Sequence, residues 1–431
     1  MTMQTIQSDL IRKSYARCKH PSGLDIYLYP MPGFTSYYGL FGTRYGSIDN
    51  AFVDEQGQKV DLPEGIAHFL EHKLFESEDG DAFEKYAKTG AYSNAYTSFD
   101  RTCYLFSCSN RFYDNLKILL DFVRSPYFTP QTVQKEQGII GQEIKMYEDL
   151  PSWRVMFNML GGMFHNHPVK IDIAGTVDSI AKITDQLLYR CYNRFYDLSN
   201  MFLILAGDFK EDEVLAFIDR NLKLPEQPAG AVSSLLPEEP DAVLQHEVSC
   251  SLDVAKPLFC IGFKEPTTGF TLYTMQMVSM EILLKMLVGT ASPLYKRLLE
   301  EKLINEEFSL EYFTGRGFAV PMLDGESDRP ERVLELVLEQ AELYRKNGLD
   351  PQLFEAVRRE LYGRGLRRFD AAESVCSMLS DAAVLGYELF EHFDCLKRIT
   401  PDDVLKQLEV FTADRAVLSV VNPRSSPPFV G

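Results

Sequence analysis

A chain of 431 residues is too long for one ordinary domain and suits two or three. Its 45% hydrophobic content is that of a folded globular protein, while a formal net charge of -18 argues against phosphate-backbone partners, so no nucleic acid is expected. No apolar run is long enough to span a bilayer and the N-terminal segment has no apolar core of signal-peptide length, so the expectation is a cytoplasmic protein without a membrane span.

In chain order, alternating apolar runs at residues 24–29 and 37–45 predict strands. The segment Glu64-Gly65-Ile66-Ala67-His68-Phe69-Leu70-Glu71-His72-Lys73-Leu74-Phe75 predicts a helix entering a core, because Ile66, Phe69, Leu70, Leu74 and Phe75 supply an apolar stripe. A small/aromatic alternation follows at Ala91-Tyr92-Ser93-Asn94-Ala95-Tyr96-Thr97 and reads as an edge strand, with another strand at residues 102–107. Cys103 and Cys108 lie in that stretch; with no CxxC knuckle among the eight cysteines, they read as buried thiols. An apolar-rich helix at residues 115–124 precedes Phe128-Thr129-Pro130, where Thr is a good N-cap and Pro suits the first position of a long helix. His165-Asn166-His167-Pro168 reads as loop chemistry rather than a metal pair, since Pro168 and the spacing argue against a helix. Lys182-Ile183-Thr184-Asp185 then leads towards an apolar strand at residues 201–206.

Pro225, Pro228, Pro237 and Pro240 spoil any helix or central strand between residues 221 and 240. The expected organisation is therefore residues 1–222, a linker at 223–242, and residues 243–431. Beyond the linker the pattern recurs. Leu349-Asp350-Pro351 opens a long helix after an apolar-rich one at residues 332–345, and Arg398-Ile399-Thr400-Pro401 leads towards a strand at residues 416–421. These matches fall 215–221 residues after their counterparts, which suggests duplicated halves. Strands and helices mix without a strict βαβ rhythm, so the expected class is α+β: two homologous sandwiches, each a mostly antiparallel sheet with helices packed on it.

The chemistry concentrates in the first half. His68 and His72, at i and i+4, stack on one helix face one turn apart, the spacing two imidazoles need to reach one ion. Glu71 places a carboxylate beside that ion, where it can serve a bound water. With seven histidines in the chain, the pattern arises by chance in roughly one such sequence in a hundred. The helix opening at Pro130 offers a third ligand. Glu136 and Glu143 are two turns apart and share a face that Ile139 and Ile140 place partly inward, so one is expected to be a ligand and the other a support for a ligating histidine. Two imidazoles and a carboxylate suit Zn2+ with a fourth position open.

H-x-x-E-H followed about seventy residues later by Glu resembles the signature of the inverted-motif zinc peptidases. Along its whole length the chain resembles the insulinase, pitrilysin and mitochondrial processing peptidase family, and most closely its small bacterial members. The resemblance implies a zinc metalloendopeptidase with one Zn2+ per chain, held by His68, His72 and Glu143. It also implies Glu71 as catalytic base, Glu136 in support, and Asn94 and Ala95 on the edge strand to which a substrate peptide adds. The two halves would close as a clamshell. The second half reads as a non-catalytic copy: Arg364 stands at the repeat position of Glu143, and the helix near residues 281–287 has no His–Glu–His set. In this family that half carries an Arg and a Tyr that clamp substrate, within a segment resembling Ser292-Pro293-Leu294-Tyr295 and onward. Here the matching positions are Leu299 and Asn305, neither of which donates to an oxyanion as Arg or Tyr does. A homologous partner subunit, in a heterodimer or homodimer, is therefore expected to complete the site. The alternative is a catalytically silent peptide-binding or scaffold subunit.

Overall fold

The structure is a computed structural model that describes residues 2–54, 56–78, 80–224, 232, 235–267 and 273–424. It divides into two compact units: Met1–Ile144 with Ile171–Leu236 and Leu366–Phe390, and Lys145–Lys170 with Pro237–Gly365 and Glu391–Gly431. Each unit takes a segment from the opposite half of the chain. Within the expected linker, Pro225 and Pro228 lie outside the described residues, and residues 235–246 carry neither helix nor strand.

The sheet of the first unit sets Thr2–Ser8, Lys13–Lys19, Asp25–Pro30, Met201–Gly207, Tyr37–Thr43, Thr102–Cys108 and Tyr92–Thr97 side by side. Asp25–Pro30 pairs with Met201–Gly207 in parallel, and the other pairings are antiparallel. Every residue of Met201–Gly207 is buried, because both faces of the sheet are covered. Tyr104, Phe106 and Leu203 face a core shared with the helices Ile66–Leu74 and Phe112–Val123. Side chains alternate across a strand, so Cys103 faces the other way. There it meets Ser380, at 4.0 Å, on the helix Ala372–Leu385. The same helix is tied down where Arg101 donates to Asp381 at 2.7 Å.

The second unit orders Glu247–Leu252, Ala416–Pro423, Leu258–Phe263, Phe318–Glu326 and Ser309–Gly315. Its first pairing is parallel and the rest are antiparallel. That is the order of the last five strands of the first sheet, with Ala416–Pro423 in the place of Met201–Gly207. The helix Pro151–Met163 packs on this sheet, as Ala372–Leu385 packs on the first. The recurring Ile-Thr motif proves to be a helix cap in both copies: Thr184 accepts from the Leu187 amide at 3.2 Å and Thr400 from the Asp403 amide at 3.4 Å.

Two helices carry the candidate site. Gly65, just before Ile66–Leu74, has φ +84°, and a Cβ there would collide with the Ala174 carbonyl, so both conformation and approach require glycine. Ser179 Oγ donates to Glu64 O at 2.9 Å and fixes the same junction. The helix is buried on nearly every side, including the whole of Lys73, which pairs with Glu76. The second helix, Pro130–Glu148, is capped by Thr129, which accepts from the Thr132 amide at 3.2 Å. Val133, Ile140 and Ile144 form its buried stripe, and Gln137 donates to Ile180 O at 3.2 Å and Ile183 O at 3.1 Å. Ile139, expected to face partly inward with Ile140, is instead 48% exposed, since successive helical residues point about 100° apart.

Candidate metal centre

The two helices bring His68, His72 and Glu143 together, with one donor atom from each lying within 4.8 Å of the others. Among the described residues no other set of three His, Cys, Asp or Glu side chains converges in this way. Glu143 faces both rings: its Oε1 is 3.7 Å from His68 Nε2 and its Oε2 is 3.5 Å from His72 Nε2. Glu136, two turns earlier, approaches His72 from the other side, with Oε1 3.0 Å from Nδ1. Since a carboxylate only accepts, His72 donates its Nδ1 proton to Glu136, and the Nε2 lone pair of the neutral ring is turned towards Glu143.

The donor set fits a small divalent cation. Tetrahedral ligands at about 2.1 Å from zinc stand about 3.4 Å from one another, close to the separations of 3.5 and 3.7 Å here. A neutral imidazole lone pair and a carboxylate facing each other repel unless a cation lies between them. The protonation behaviour carries the same signature. Burial, then the neighbouring His72, lowers the pKa of His68 to about 3, so this ring is neutral and able to coordinate. Its Nδ1 is buried with no hydrogen-bond partner. Burial also works against charge on His72, but Glu136, Glu71 and Glu143 outweigh it and raise its pKa.

Glu71 is buried beside the donor set and has its pKa raised, chiefly by burial. Against that effect, Thr97 Oγ1 donates to Glu71 Oε2 at 2.7 Å. Sequence reasoning included Thr97 in the strand but gave it no role, because the contact joins residues from two different elements. Asn94 and Ala95 lie on Tyr92–Thr97, which is the edge of its sheet. The Ala95 amide currently donates to Asn94 Oδ1 at 2.9 Å. A cleft of about 620 Å3 opens between this strand and the helices, bordered by Glu71, His72, Phe75, Phe83, Asn94, Ala95 and Ile139. Its rim is acidic, with Glu76, Glu78 and Asp81.

The other histidine pair has a different fate. The His167 ring engages backbone at both nitrogens, with Nδ1 accepting from the Val169 amide at 3.1 Å and Nε2 lying 3.1 Å from Arg316 O. In the second unit, Arg364 pairs with Glu360 at 2.6 Å. Leu299 packs against that unit's apolar core, and Asn305 donates to Glu326 Oε2 at 3.1 Å.

Comparison with known proteins bears on the family and the fold. Residues 57–177 match the profile described as Insulinase (Peptidase family M16), and residues 182–361 that of the Peptidase M16 inactive domain. The chain is 38% identical over 433 residues to YmfH of Bacillus subtilis (strain 168), named an uncharacterised zinc protease, across 98% of this chain and 100% of that protein. A crystal structure of an M16-like peptidase from Alicyclobacillus acidocaldarius superposes with a TM-score of 0.90 at 34% identity, covering 98% of this chain and 99% of that one. Pitrilysin shares the fold at a TM-score of 0.76 and 16% identity, with 98% of this chain matching 46% of that one. The chain belongs to the insulinase family, peptidase family M16.

Proposed function

We propose that this protein is a zinc-dependent metalloendopeptidase in which His68, His72 and Glu143 hold one Zn2+ per chain. The observation that carries the reading is the convergence of one possible ligand atom each from His68, His72 and Glu143 within 4.8 Å, beside the buried Glu71 carboxylate. A bound zinc ion would supply Lewis acidity to the scissile carbonyl and a water of lowered pKa. Glu71 takes the proton of the attacking water and returns it to the leaving amine nitrogen. Glu136 keeps the His72 Nε2 lone pair aimed at the metal by accepting from Nδ1. The edge strand binds an extended peptide through backbone groups around Ala95, after Asn94 Oδ1 gives up the Ala95 amide. Such a strand demands little of substrate sequence, so peptides or short precursor polypeptides are the substrate class.

A homologous subunit completing the active site is part of this proposal. It is supported by Leu299 and Asn305, which are engaged in local packing and hydrogen bonding and supply neither the Arg nor the Tyr of a substrate clamp. Zinc analysis tests the core of the reading. The wild-type chain is expected to hold one zinc and Glu143→Ala to lose it by at least about a hundredfold in affinity; zinc retained at full affinity by Glu143→Ala would remove this residue from the ligand set.

A further inference from the structure

We propose that Thr97 is the positioning residue of the base, orienting the Glu71 carboxylate from the end of the strand that receives substrate. The inference rests on the metallopeptidase reading above and deepens it. Thr97 is the last residue of the edge strand Tyr92–Thr97. A hydroxyl has a single proton, and that of Thr97 is committed to Glu71 Oε2 at 2.7 Å. Thr102 Oγ1 stands 3.3 Å from Thr97 Oγ1 and donates to Tyr45 O at 2.9 Å, so the hydroxyl is set within a fixed frame.

The backbone fixes which groups face the edge. Ser98 donates its amide to Arg101 O at 2.8 Å, which makes that pair the hydrogen-bonded one. By antiparallel alternation, the neighbouring pair Thr97 and Thr102 turns its backbone groups away from each other, so the Thr97 amide points off the sheet edge. That is the same side on which the hydroxyl reaches Glu71. The amides of Ser93 and Ala95 share its outward parity and face an added peptide, that of Ala95 once Asn94 Oδ1 releases it. One strand therefore sets both the register of the substrate and the orientation of the base.

Thr97→Val removes the hydroxyl and keeps the side-chain shape. With the zinc-loaded full chain and an internally quenched peptide cleaved by the wild type, kcat is expected to fall about 10- to 100-fold while KM stays within about twofold. Zinc per chain is expected to be unchanged. A readout independent of turnover is the Glu71 carboxylate band in infrared spectra, isolated as the difference from Glu71→Gln. It is expected to shift in Thr97→Val and not in Thr97→Ser, which also restores most of kcat. Wild-type kcat or an unmoved band in Thr97→Val overturns the proposal. So does a rate loss that tracks zinc loss in both Thr97 variants. An active Glu71→Gln overturns the base assignment itself, whereas inactive Glu71→Gln beside fully active Thr97→Val overturns the role of Thr97 alone.

Discussion

His72 is held from two sides, and the two carboxylates act differently because of the atoms they meet. Glu136 accepts a hydrogen bond from Nδ1 at 3.0 Å, whereas Glu143 faces Nε2 at 3.5 Å across a gap suited to a cation. The sequence carried much of this arrangement, since a one-turn histidine pair and a two-turn glutamate pair follow from helical spacing alone. Which glutamate faced which nitrogen did not follow from spacing, and neither did the hydroxyl of Thr97. A second buried charge shows the same principle away from the site. Glu239 accepts from the amides of His165, Asn166 and His167 at 2.6–2.9 Å and pairs with Lys264 at 2.5 Å. Burial opposes its charge, but Lys264 and those amides outweigh it and hold its pKa below the ordinary carboxylate value. Burial also lowers the pKa of Lys264. The ammonium nevertheless has carbonyl oxygens of Met163, Pro240 and Ala242 at 2.7–3.1 Å besides Glu239, and four acceptors favour an ionised pair. Glu239→Gln strands that ammonium and is expected to lower stability by about 3–5 kcal/mol at neutral pH, measured by urea unfolding. Because the folded pKa of Glu239 lies below its unfolded value of about 4.3, its stabilisation is complete above that pH and is lost as pH falls through the folded pKa. The gap between the two proteins is therefore expected to narrow in acid.

Among the elements, the edge strand is the one that the proposed function assigns to substrate, and it also carries Thr97. Its exposed Tyr92, Asn94 and Tyr96 alternate with half-buried Ser93, Ala95 and Thr97, a pattern legible in the sequence as an edge strand. The pairing order agrees: among the described residues Tyr92–Thr97 has Thr102–Cys108 on one side and no neighbour on the other. Ala95 shares the outward parity of Thr97, so its amide lies outside the ladder. Ala95→Pro should therefore fold and bind zinc, since proline is tolerated at an edge position whose N–H is not paired within the sheet. Losing one backbone donor to substrate is expected to raise KM about tenfold, read by steady-state peptide cleavage. An unchanged KM would mean that the peptide does not add at this edge.

Over the whole molecule, the two units exchange helices: Pro151–Met163 belongs to the second and Ala372–Leu385 to the first. The duplicated halves were readable from recurring helix starts, and five strands of each sheet follow one order. The exchange was not readable, because an apolar helix announces that it will be covered without saying by which sheet. Proline punctuation marks a break in regular structure and carries no information about such pairing. A fragment ending at residue 222 would lack the helix that covers Cys103 and its neighbours, and would carry Pro151–Met163 without its sheet. Residues 1–222 expressed alone are expected to be insoluble or to show poorly dispersed amide NMR spectra, and co-expression with residues 243–431 to restore a folded complex. A well-dispersed spectrum from the isolated fragment would contradict this account of the fold.

The central claim is that a metal-binding triad and a separate base act together in hydrolysis. Its most direct test is peptide cleavage and zinc content measured on the same preparation of Glu71→Gln, with wild type alongside. The account predicts one zinc per chain in both proteins and cleavage by the variant reduced by about a thousandfold or more. A zinc-replete Glu71→Gln that cleaves peptides at the wild-type rate would contradict it.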